Sequence, residues 1–165
     1  MDSTLGFSIS KLVARFEFYA THLKEIRHNP DERKSKKFFH LELEKIQEAT
    51  TSGISFPALF LQTPEVDKSG ASDNLSENYN FTFVLIVKGN QDRALIADFT
   101  KKLSDKIFNR VLLDVAEEII PGIITGTSEG FFGPVSDGLY GWGVSFGITD
   151  AYNGEVDPND WEDLS

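Results

Sequence analysis

The chain has 165 residues, a formal net charge of −10 and no cysteine, so disulfides, thiolate catalysis and cysteine-based metal sites are excluded. With 40% hydrophobic and 25% charged residues it has an ordinary globular composition, and its length is enough to bury a core without staples. The acidic balance argues against a generic DNA-binding domain, which needs a basic face to neutralise phosphates.

The opening "MDSTLGFSISKLV" lacks the basic region and unbroken apolar stretch of a signal peptide. No apolar run approaches the roughly 18 residues of a membrane span, and a soluble chain is expected. A first helix is expected from about Ser8, as N-cap, to Arg27. Ile9, Leu12, Val13, Phe16, Ala20, Leu23 and Ile26 share one stripe at helical spacing, with Phe18 and Tyr19 off its centre. Pro30 disfavours continuation. "KSKKFFHLELEKIQEATTSG" reads either as a short strand then a helix or as one helix; a short helix from about Leu41, ended by Gly53, is favoured. "ISFPALFLQT" is a strand in which Pro57 marks a start or an edge. The polar stretch Pro64 to Asn78 is expected to project as a loop. In "YNFTFVLIVKG", Phe81, Phe83, Leu85 and Val87 oppose Thr82, Val84 and Ile86, so this strand should be central and covered on both sides.

A long helix follows, capped by Asn90 or Asp92, with Leu95, Ile96, Phe99, Leu103, Ile107 and Val111 as its buried stripe. After Pro121-Gly122 come a strand "IITGTS", a glycine-rich loop, and the strand "LYGWGVSFGITD". In this last strand Trp142, Val144, Phe146 and Ile148 make one bulky face, and Gly141, Gly143, Ser145 and Gly147 leave the other nearly bare. The expected fold is α+β: a four-stranded, mainly antiparallel sheet of two strand pairs linked by the long amphipathic helix, with the N-terminal helix packed on the sheet. Residues 1–150 form one such domain and 151–165 an acidic C-terminal tail.

Chemistry is sparse. His22, His28 and His40 show no ligand spacing, no GxSxG elbow is present, and the glycines at 141, 143 and 147 miss the GxGxxG pattern by one residue. Asp150, Asn153, Glu155, Asp157 and Asp160 offer oxygen ligands, but without the order of an EF-hand loop. No catalytic residue, metal site or cofactor is assigned, and an enzyme is not expected. Charge is uneven: residues 24–37 hold six basic and three acidic residues, whereas 150–165 hold six acidic and none basic. Such ends are suited to head-to-tail contact.

The order of "SFPALFLQTP", "ENYNFTFVLIVKG", "DRALIADFTKKLSDKIFNRVL" and "DGLYGWGVSFGITDAYN" after an N-terminal helix resembles the tail-completion, tail-terminator and neck-ring (head-to-tail connector) proteins of tailed bacteriophages. The resemblance covers most of the chain and rests on layout, with no diagnostic motif. It implies a structural virion protein of the neck or tail, made in the host cytoplasm. Six or twelve copies would form a ring joining portal or connector to tail around a channel for DNA, without enzymatic activity. The long first connection and the acidic tail depart from the pattern. Contact residues are expected at Phe18, Tyr19, Lys34, Lys36, Lys37, Phe131, Phe132 and Trp161. The alternative is a small-ligand binding or regulatory domain of the ferredoxin-like kind, with a closed apolar pocket under the sheet.

Overall fold

A computed structural model describes residues 7–41, 45, 54–71, 74–136, 138–152 and 154. The first helix, α1 (Ile9–His22), starts where Ser8 accepts a bond from the Lys11 N–H. It stops five residues before the expected Arg27, because Leu23 turns to extended backbone and the His28 N–H bonds the Ala20 carbonyl. The apolar stripe persists through this turn: Ile26 is fully buried although it is not helical. His28 is buried as well. Its Nδ1 accepts from the Lys37 and Phe38 N–H groups, which leaves the proton on Nε2, facing Glu17 Oε1 at 3.3 Å. The basic segment is thereby tied to α1 and led into β1 (Phe38–His40). The helix expected from about Leu41 to Gly53 lies almost wholly outside the described residues.

Strand β2 (Ala58–Leu61) begins directly after Pro57, where that residue's missing donor costs no ladder bond. The stretch expected to be a projecting loop is instead β3 (Glu65–Ala71) and the first half of β4 (Asn74–Lys88), a tight hairpin with Ala71 opposite Asn74. Its polarity reflects exposure rather than irregular backbone: all seven β3 residues are exposed, and a strand at a sheet edge needs only one paired side. The second helix, α2 (Arg93–Ala116), is capped by Asp92, whose carboxylate accepts from the Ala94 N–H at 2.8 Å. Strand β5 (Ile123–Ser136) absorbs the glycine-rich segment expected to be a loop. A bulge at Gly126, with φ +56°, and a register shift between Phe132 and Ser136 keep it paired with β6 (Leu139–Ala151).

The described residues thus form an α+β fold with two α-helices and one mixed six-stranded sheet, in place of the four strands expected. The order is β1-β2-β4-β6-β5, with β3 on the same side of β4 as β2. Only β1 and β2 run parallel. Since β2 and β3 pair with successive halves of β4, they act as one interrupted strand, broken at Gln62-Thr63-Pro64. The expected pair of hairpins around a linking helix survives within the larger sheet.

Register decides which face each side chain meets. Phe81, Phe83 and Leu85 of β4 align with Phe146, Val144 and Trp142 of β6 and look toward the helices. There Phe146 meets Phe16, Phe81, Phe83 and Phe108 at ring-centroid distances of 5.6–6.4 Å. On the other face a smaller core joins Ala58, Phe60, Val84, Ile86 and Leu139 with Phe39, Phe56 and Phe132. Strand β4 is central and apolar on both sides over this stretch for that reason.

Candidate functional site

The bare side of β6 receives three treatments along its length. At Gly141 the strand's own neighbour closes it: a Cβ there would overlap the Phe132 ring. At Gly147 a Cβ would come within 2.6 Å of Thr125 Oγ1, so only hydrogen fits. Between them Ser145 and the facing Thr82, whose hydroxyls lie 2.8 Å apart, floor an open groove of about 560 Å³. Gln62, Glu65, Asn80, Thr125 and Ser128 line it further. A polar ladder extends its end: Asn78 Oδ1 accepts from the Thr125 and Thr149 hydroxyls, its amide donates to Asn80, and the Asn80 amide donates to Asp67. Among the described residues no lysine or arginine lines the groove, so they offer no cation to hold a phosphate.

Beneath the opposite face, Phe16, Phe81, Phe83 and Phe146 fill the space between sheet and helices. The closed apolar pocket of a ligand-binding domain is not found among the described residues. Nor, among them, is any group of three or more metal-ligating side chains, and no described helix is long and apolar enough to cross a membrane. Of the oxygen-donor residues considered for a cation, Asp150 accepts from the Phe7 N–H at 2.9 Å and so pins the start of α1 to the end of β6; the others lie outside the described residues.

The helices meet at a buried carboxylate. Asp114 is completely enclosed, and its Oδ2 accepts from Tyr19 Oη at 2.5 Å and Arg15 Nε at 2.8 Å. Arg110 approaches Oδ1 at 3.0 Å without the alignment of a hydrogen bond. Burial alone would raise the Asp114 pKa, but the bonds from Tyr19 and Arg15 outweigh it and hold the carboxyl below its ordinary range. The Tyr19 phenol is pushed up, by burial first and then by the carboxylate. Tyr79 at the far end of the sheet is pushed up to about 12 by burial and by Glu77, to which it donates. These three groups stay in one protonation state near neutral pH and act as structure.

The residues expected at contacts fall in different places. Phe18 is partly exposed and stacks on His22 at 4.0 Å, at the mouth of a groove of about 300 Å³ between α1 and α2. Tyr19, beside it, is core. Lys34 and Lys36 are exposed, the latter over the Phe39 ring, whereas Lys37 Nζ donates to the Ile26 carbonyl and holds the turn. Phe131 stacks on Tyr140 at 5.8 Å and Phe132 covers Gly141, so both are occupied within the fold. Trp161 lies outside the described residues.

Two features escaped the sequence. Leu95 and Phe99 do not belong to the buried stripe of α2: they are 61% and 47% exposed, and Thr100, Ser104 and Asp114 are buried instead. The signal was present in the small residues at 100 and 104, which let α2 approach its neighbours closely where larger ones would not. The groove was half legible, since Asn78, Asn80 and Thr82 alternate with Tyr79, Phe81 and Phe83. Comparison with protein-family models and with curated proteins gives no match.

Proposed function

We propose that the protein is a structural subunit that assembles with copies of itself into a ring of six or twelve, as in the neck or tail of a tailed bacteriophage, joining portal or connector to tail. The observation that supports this reading best is a pair of sheet edges that no other described strand pairs with. Strand β3 is exposed throughout and β5 is exposed from Thr125 to Gly130. Along β3-β4-β6-β5 every neighbour is antiparallel, so β5 of one copy meets β3 of the next in antiparallel sense without either being turned over. A contact of unlike edges is heterologous, and such contacts close into rings when the rotation allows. Exposed Val66 on β3 and Ile123 on β5 supply apolar area at those edges. The groove, with no cation among the described residues that line it, and the net charge of −10 suit a wall along which DNA passes without adhering.

The test is the mass and the negative-stain image of the protein, alone and with its portal assembly. A ring with a central channel is expected. Val66→Lys with Ile123→Lys should weaken assembly while changing subunit stability by no more than about 0.5 kcal/mol per site, as for surface changes generally. A wild-type chain that stays monomeric at every concentration and ignores the portal removes the reading.

A further inference from the structure

Leu95, Phe99, Lys102, Lys106, Arg110 and Leu113 recur along α2 at spacings of three or four and so form one stripe. In a chain of net charge −10, this stripe carries three cations and no acid. The two helices are antiparallel, since Arg15 and Tyr19 meet Asp114 while His22 and Leu23 lie against Lys106 and Ile107. Residues 95–102 therefore run past the end of α1, and nothing described covers Leu95 or Phe99. Lys106 pairs with Glu25 and Arg110 faces Asp114, but the side chains of both remain about half exposed. Lys102 has no ion-pair partner among the described residues. Beside the stripe, Phe18, Leu23 and Ile107 wall the groove between the helices, which is sized for an aromatic side chain.

A segment of complementary chemistry exists in the same chain: "EVDPNDWEDL", residues 155–164, with five carboxylates around Trp161 and Leu164. We infer that this segment folds back on its own subunit, placing Trp161 in the groove against Phe18, Leu23 and Ile107 and its carboxylates along Lys102, Lys106 and Arg110. The path is short enough. The Tyr152 N–H bonds the Leu75 carbonyl, and Asp150 holds the N–H of Phe7 at the start of α1. From Tyr152 back to Asp150 is about 7 Å of strand and from Phe7 to Phe18 about 16 Å of helical rise, whereas the nine residues from Tyr152 to Trp161 span up to roughly 30 Å. A tether of this length presents the segment at millimolar effective concentration, so the subunit's own tail outcompetes a neighbour's in dilute solution.

The chain has two tryptophans, so full-length Trp142→Phe reports on Trp161 alone. Its emission should be blue-shifted and its quenching by acrylamide several-fold weaker than for free tryptophan, at every protein concentration. Lys102→Glu with Lys106→Glu should expose it, and so should Phe18→Ser, which changes the wall without changing charge; circular dichroism checks that each variant folds. Emission like that of free tryptophan overturns the inference, as does protection untouched by these variants. Protection that grows with protein concentration also overturns it, by assigning the groove to a neighbouring copy. Sample mass, read in parallel, separates this result from ring assembly, because either can hold without the other.

Discussion

Asp114 is the residue on which the two helices depend. It is surrounded by Tyr19, Arg15 and Arg110 and wholly shielded from water, so removing its charge leaves a buried phenol and a guanidinium without a charged acceptor. Asp114→Asn should cost about 1.5–3 kcal/mol in urea unfolding, as for hydrogen bonds to a charged group, because Arg15 and Arg110 keep partial access to water. The pH dependence has a definite sign. The folded carboxyl titrates below its unfolded value of about 3.9, so its contribution is complete above that value and disappears as pH falls through the lower folded one. The wild type should therefore lose stability below about pH 4 more steeply than Asp114→Asn. Nothing near Asp114 in the sequence marks it out, because its partners Arg15 and Tyr19 are about a hundred positions away and only helix packing joins them.

At the level of elements, β5 and β6 show how a strand can be specified by what it omits. Glycine at 141 makes room for Phe132 from the adjacent strand. Gly141→Ala should cost about 1–3 kcal/mol through overpacking, measured as a shift in urea midpoint, and in a Phe132→Ala background most of that cost should vanish. Equal costs in both backgrounds would show that the ring is not what the glycine accommodates. The alternation of large and small residues in β6 was plain in the sequence, as was the direction each β4 side chain takes. What lies against the small side was not, since Phe132, Thr125 and Asn78 reach it through pairings that span 9 to 69 positions. Likewise α2 was legible as a helix from its cap and period, but periodicity alone could not choose between Leu95-Phe99 and Thr100-Ser104 as the buried flank. That choice follows from where α1 and the sheet stand.

For the molecule as a whole, the proposed ring draws on edges and charge. Lys34 and Lys36 project from the turn before β1, while Lys37 and His28 serve that turn internally. Reversing only the exposed pair, Lys34→Glu with Lys36→Glu, should leave the melting temperature unchanged and weaken assembly most at low salt, where surface charges are least screened. Assembly that is insensitive to this pair would remove electrostatic attraction at this segment from the interface and leave the sheet edges to carry it. An acidic exterior also limits adhesion to nucleic acid, as a wall around passing DNA requires.

The sequence by itself determined the α+β class, the start of α1 at Ser8, the start of α2 to within two residues, and the central strand with its two apolar faces. These depend on period, capping and composition, which are local properties of the chain. Only the tertiary structure decided that the polar segment after Pro64 is an edge hairpin, that β5 continues through its glycines as one bulged strand, that Tyr19 belongs to the core, and that no other described residue covers the apolar and basic stripe of α2. Each of these depends on which distant surface arrives to pair or to cover, and burial of that kind follows from contacts between residues far apart in the chain.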